Sequence, residues 1–341
     1  MKKLVSIVLT LILMLSLAFS FGCEKNDETQ AERKVSLKYA DANSVMTMLI
    51  NDQIEYGLLP EPAATKLEKV KAPTIKWKRI DVQELYNSKT SAYPQAVLMV
   101  KNDVLTSYPQ LVDTIKEKFN ENVVWAKENP AAVINAVKGI YDSTSLAPVK
   151  ALTKETVDNC KINWQDASLA KTEINTYLEQ ILGIDIGMGI VPANRVNDDF
   201  FYTSTESQGQ AIEDKTFSFV VPDGAPALAI AKFVNDKQNF VQGATFNYNV
   251  VNAETITSYM NGAIDTADFI IMPLNSATLN YSNNYKCVSV ITHGNLYLMS
   301  KVSHVDGLLN KTIGVIGEGK VPDLTLKVIL KNNGIEFKTA V

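Results

Sequence analysis

The chain has 341 residues, 46% hydrophobic and 21% charged, with a formal net charge of −4. That is enough apolar content for a sizeable core and too much for a disordered chain. The slight acidity, with no Lys/Arg cluster interleaved with aromatics, argues against nucleic acid as the partner. Three cysteines and two histidines are too few for a disulfide framework or a His/Cys metal centre, and no cofactor is expected.

The first element is an export signal. Lys2 and Lys3 precede an apolar run over residues 4–21, followed by Cys23 and a polar stretch. A short apolar run behind a positive N-terminus is the pattern of a cleaved signal rather than a spanning helix. Residues 1–22 are therefore expected outside the fold, with 23–30 as a tether. The pattern resembles a bacterial lipoprotein signal, with Cys23 as the lipidated residue. Ser20 and Phe21 stand where that signal has an aliphatic and a small residue. Ala18-Phe19-Ser20 offers an ordinary small-x-small cleavage instead. The first route anchors the mature protein to the bacterial cell membrane by a lipid. The second leaves it secreted or periplasmic, and both are extracytoplasmic.

The mature chain opens with a strand over 35–39, and Asp41-Ala42-Asn43-Ser44 can cap the helix that follows at 45–50. A second strand is read at 54–59, and Pro60-Glu61-Pro62 opens a helix at Ala63. Residues 94–100 form a buried-strand candidate. From 108 to 183 the chain is mostly helical: 111–127, a restart at Asn129-Pro130, and 167–182 ending at Gly183. Residues 203–215 are polar and aperiodic and read as a linker. Alternation follows, with strands at 217–221, 246–251, 268–272, 287–291, 296–299 and 312–316. Helices are read from 222–226 toward 234, at 253–261, after Pro273 and at 323–332. Such alternation implies parallel sheets covered by helices.

No catalytic motif is present: no G-x-S-x-G, no H-E-x-x-H and no Walker sequence. Cys160 and Cys287 lie in apolar surroundings and read as buried structural thiols. His293 sits in a strand-end loop, where it either lines a cleft or is a satisfied loop histidine. The charged run 66–71 reads as a solvated helix face. The positive signal is the set of loops that leave a strand and enter a helix, at 41–44, 222–226, 273–276 and 317–322. Ligands bind at such places in open α/β sheets, where helix N-termini present free N–H groups. Gly224, Ala225 and Gly319 would let the backbone approach a ligand closely. A binder rather than an enzyme is expected.

Residues 219–229 (FVVPDGAPALA) resemble the first strand and helix of the nitrate/sulfonate/taurine-type substrate-binding proteins of ABC transporters. Residues 271–275 and 292–297 resemble later segments of that first lobe, and 317–325 the opening of the second. Residues 56–63 resemble the return crossover, and 198–202 the family's C-terminal end. The order is exchanged: what should come first starts at Phe217, and what should come last ends at Tyr202. The resemblance therefore implies a circularly permuted chain, with residues 203–216 joining the family's usual termini; the 13 residues 203–215 alone span up to about 40 Å.

The resemblance implies an α/β, two-lobed periplasmic-binding-protein fold with two crossover segments. One lobe would span 94–300, and the other would combine 31–93 with 301–341. It implies an extracytoplasmic solute-binding lipoprotein, a monomer, that delivers a small molecule to an ABC permease. The expected cleft residues are Asp223, Gly224, Ala225, Asn275, His293, Gly319, Val321, Asn43 and Glu61. Asp223, Asn275 and Asn43 would hydrogen-bond the ligand, His293 would stack or donate, and the glycines with Ala225 would offer N–H groups. No arginine falls in these loops, so the ligand is left as a small anion or a heterocycle. A ligand-sensing surface lipoprotein without transport and an enzyme on the same fold are the alternatives.

Overall fold

The chain builds two six-stranded sheets and crosses between them twice. A computed structural model describes residues 33–70, 76–86, 93–141, 152–184, 189, 192, 195–204, 209–236, 241–281, 284–301 and 305–340. The signal, the tether with Cys23, Ala31, His304 and Val341 lie outside these residues. The strands in chain order are β1 (Lys34–Tyr39), β2 (Tyr56–Pro60), β3 (Lys78–Asp81), β4 (Pro94–Lys101), β5 (Ile162–Asp166), β6 (Lys215–Pro222), β7 (Ala244–Val251), β8 (Phe269–Pro273), β9 (Tyr285–His293), β10 (Leu296–Ser300), β11 (Thr312–Val315) and β12 (Glu336–Thr339).

The first sheet has the order β12-β1-β11-β2-β10-β3, the second β5-β9-β4-β8-β6-β7. Burial follows position in the sheet. The central strands β4 (PQAVLMVK) and β9 (YKCVSVITH) are near-continuous apolar runs, because helices or the other lobe cover both faces. The edge strands β3 (KRID) and β12 (EFKT) are short and charged, which discourages pairing with another chain. Helix Gln110–Glu128 turns Leu111, Ile115, Phe119, Asn122 and Ala126 inward at helical spacing. Among the described residues no helix is long and apolar enough to cross a membrane, and no group of His, Cys, Asp or Glu is placed to hold a metal ion.

Two connections join the lobes. One runs from β3 through helix Val82–Tyr86 to β4. The other is the pair Gly294-Asn295 between β9 and β10. Both residues of that pair are left-handed, at φ 79° and 91°. A Cβ at Gly294 would lie 2.3 Å from Gln83 Cγ, so glycine is required there for space as well as for φ. Beside the first connection, Tyr93 stacks on Tyr177 with centroids 5.6 Å apart. Tyr177 Oη hydrogen-bonds Thr325 Oγ1 at 2.7 Å, tying helix Ala167–Leu182 to helix Val321–Asn332.

The first sheet joins strands from the two ends of the described chain. β1 lies parallel to β11, with Ser36 opposite Thr312 and Tyr39 opposite Val315, although they are nearly a chain length apart. Several expectations are corrected. The sheets are mixed rather than parallel, because β10 enters the first sheet antiparallel to β2 and β3. The chain returns to that sheet at Gly294-Asn295, ahead of the expected boundary at Ser300. β12, which no pattern in the sequence had marked as a strand, flanks β1 on its outer side. The helix expected at 253–261 is only a 3-10 turn, Ile256–Tyr259, in keeping with its β-branched, Ser and Tyr content. The helix expected from 222–226 toward 234 is two short pieces, Ala225–Leu228 and Ala231–Asp236.

Candidate functional site

A cleft of about 940 Å³ opens where the two sheets face each other, a volume within the range of small-molecule sites. The lobe built on the sheet with β1 contributes the loop after β1, the start of helix Ala63–Glu68 and residues 316–318 and 320–322; the other lobe contributes 222–226, 252–254, Pro273 and Thr292. The loops expected to face one another are therefore brought together. Alanines, prolines, Met46, Val70 and Ile316 supply apolar wall. Asp41, Asp223, Glu254 and Glu318 stand against Lys66, Lys69 and Lys320, and no arginine lines the cleft.

Of the nine expected residues, Asp223, Gly224, Ala225, Asn43 and Val321 line the cleft; Asn275, His293, Gly319 and Glu61 do not. Glu61 is fully buried and turned into the protein. Its carboxylate pairs with Arg79 and accepts from Thr65 N at 3.0 Å and Thr65 Oγ1 at 2.8 Å, so it caps its own helix. His293 faces Gln165, with Nε2 against Oε1. Burial lowers its pKa to about 4, which keeps the ring neutral. Asn275 bridges the lobes instead of reaching for a ligand: its Nδ2 donates to Gly319 O at 2.9 Å. Lys320 bridges them too, donating to Ala253 O at 3.3 Å and pairing with Glu254 at 2.5 Å.

The expected backbone donors are engaged within the protein. Gly224 N–H donates to Asp223 Oδ1 at 2.7 Å, and Gly319 N–H to Asp323 Oδ2 at 2.9 Å. Asp41 caps helix Ala42–Ile50, accepting from Asn43 N at 2.9 Å and Ser44 N at 3.1 Å. Gly224 keeps its conformational role, at φ 92°. Asp223 also accepts from the Tyr141 hydroxyl. Burial raises the Asp223 carboxyl above the usual range, opposed by those hydrogen bonds and by the charge of Lys66. Asn43 Oδ1 accepts from Lys66 Nζ at 2.8 Å.

Two lining side chains were not singled out by the sequence reading. Asn295 is 2% exposed and its Oδ1 has no hydrogen-bond partner; Gln95 Oε1 is likewise buried and unpartnered. Gln95 is the extra residue of a β-bulge, since Pro94 pairs with His293 and Ala96 with Thr292. A bulge re-aims a side chain off the ladder. The signal available was a polar residue inside an apolar strand run, and a Gly-Asn pair at a strand end.

No family model matches the sequence, and a comparison with curated proteins finds no match. Solved structures do match. The oligopeptide-binding protein AppA from Bacillus subtilis, in complex with a nonapeptide, is 10% identical with a TM-score of 0.30, over 76% of this chain and 54% of that one. NikZ from Campylobacter jejuni, in complex with Ni(L-His), is 9% identical with a TM-score of 0.34, over 85% and 59%. NikA from Staphylococcus aureus, in complex with Ni(L-His)2, is 10% identical with a TM-score of 0.30, over 76% and 55%. The chain spans somewhat more than half the length of these proteins.

Proposed function

We propose that the chain captures a small molecule between its lobes and presents it to a membrane permease, as the extracytoplasmic binding component of an ABC importer. The observation that carries this is the cleft itself, which is walled by residues of both lobes. A ligand touching both walls favours the closed arrangement over the open one, and two thin connections let the lobes hinge. Acylated Cys23 would hold the protein at the membrane.

Native mass spectrometry of gently purified protein tests the capture. A small molecule is expected to co-purify and to be lost on denaturation. Its return should lower the radius of gyration in small-angle scattering. Ala63→Trp, which places a ring in the cleft from a half-buried position, should abolish binding and leave the fold intact. Binding that survives this substitution, or turnover of the captured compound, would remove the reading. Cys23→Ser should release the protein from membranes; unchanged retention would remove the lipid anchor alone.

A further inference from the structure

Residues 317–320, in the lobe with β1, form a tight turn closed by Lys320 N–H on Gly317 O at 2.9 Å. Gly317 and Gly319 are both left-handed there, at φ 62° and 67°. The opposite lobe meets this turn twice. Asn275 Nδ2 donates to Gly319 O at 2.9 Å, and Glu254 pairs with Lys320 at 2.5 Å. Asn275 is 3% exposed, whereas the Glu254 side chain is 67% exposed. The buried bond therefore carries more of the contact than the ion pair, which water screens.

The same turn is anchored on Asp323, which is fully buried near the start of helix Val321–Asn332. Asp323 Oδ2 accepts from Gly319 N–H at 2.9 Å and from Lys327 Nζ at 2.7 Å. Its Oδ1 accepts from the Tyr39 hydroxyl at 3.0 Å, and Tyr39 lines the cleft. Burial and the Asp323 charge push the Tyr39 hydroxyl well above its ordinary pKa, so it stays a donor. One carboxylate thus joins a side chain of the cleft wall to the residue that Asn275 grips.

We propose that residues 317–320 are a catch that holds the lobes together through Asn275, and that Asp323 is a positioning residue that ties this catch to the cleft wall at Tyr39. The purpose of the catch rests on the capture reading above. A molecule that orders Tyr39 also orders Asp323 and the turn, so filling the cleft favours closure. Asn275, which does not line the cleft, then serves capture through closure rather than through a ligand contact. Without its donor, Gly319 O is better met by water with the lobes apart than with them together.

Carbodiimide, which condenses a carboxylate with an amine touching it, reads the catch in the full chain with no ligand added. A Glu254–Lys320 amide is expected in the peptide map, with Glu55–Lys311, 2.7 Å apart within one lobe, as the internal standard. The ratio of the two products should fall at least about threefold in Asn275→Ala and in Asn275→Leu, which fills the space without the donor. The melting temperature should stay within a few degrees. Tyr39→Phe keeps the ring and should lower the ratio about twofold or more. No Glu254–Lys320 product, an unchanged ratio in Asn275→Ala or a ratio restored by Asn275→Leu would overturn the catch. An unchanged ratio in Tyr39→Phe would overturn the role of Asp323. Failure of the capture reading would show elsewhere, as native mass spectra with no co-purified compound from a chain whose catch still forms.

Discussion

At the scale of single residues, the buried polar groups do most to define both stability and site. His293 is held neutral, at a pKa of about 4 against an ordinary 6.5. The unfolded chain therefore takes up the proton first as the pH falls. The stability tied to the neutral ring is complete above about pH 6.5 and is lost between 6.5 and 4, by up to roughly 3 kcal/mol. In His293→Gln, the stability lost between pH 7 and pH 5 should be smaller by about 2 kcal/mol, read from urea midpoints; an unchanged loss would show that the ring does not titrate in this way. The Arg79–Glu61 pair poses the complementary case. Arg79 also binds Glu68, stacks over Tyr297 at 4.7 Å and has its own pKa raised, burial opposing and the two carboxylates favouring its charge. Arg79→Met would strand the fully buried Glu61 carboxylate and should cost about 3 kcal/mol, well above the cost of breaking a surface pair. A cost below about 1 kcal/mol would mean that Thr65 alone satisfies Glu61.

At the scale of elements, β1 has most to explain. It comes from the start of the folded chain, yet it is hydrogen-bonded on both sides by strands from the end. Its Val35 and Leu37 are each 1% exposed. Its amides should therefore exchange with deuterium as slowly as those of β11, and more slowly than those of the edge strands β3 and β7. Early exchange across β1 would show that the N-terminal segment is only loosely docked. The periodic elements were legible in the sequence because burial follows period: helix Ala167–Leu182 repeats its apolar residues at helical spacing, β1 alternates, and β4 and β9 are near-continuous apolar runs. The edge strands β3 and β12 were not legible. They carry no apolar period, and pairing with a neighbour makes them strands. The site divides in the same way. Loops could be placed from turn chemistry, so residues 41–43 and 222–226 fall in the cleft as expected. Side-chain direction could not. Glu61 and His293 turn inward because Arg79 and Gln165, remote in sequence, wait for them there.

At the scale of the molecule, the sheet order depends on which strands lie together and not on which peptide bond is missing, and this can be tested by moving the ends. Ala340 N–H donates to Leu37 O at 2.8 Å, and Glu336 N–H to Arg33 O at 2.8 Å. The described ends, Arg33 and Ala340, are therefore separated along the sheet by about four strand residues, or roughly 13 Å. A flexible linker of about eight residues spans that gap. Ala211 is exposed and lies in no strand or helix, so a new opening there breaks neither. A chain that starts at Ala211, runs through β12, the linker and β1, and ends at Gln210 would keep every described strand and helix whole. Its cores are the same, with Val35, Leu37, Ile313 and Val315 buried in one cluster. The change in loop-closure entropy is small, since cost grows only with the logarithm of loop length. The rewired chain should fold, unfold within about 2 kcal/mol of the original in urea, and retain whatever compound co-purifies with the original. A rewired chain that aggregates, or that folds and loses the ligand, would show that the present order is needed to set the lobes against each other. The chain order would then be part of how the cleft is built.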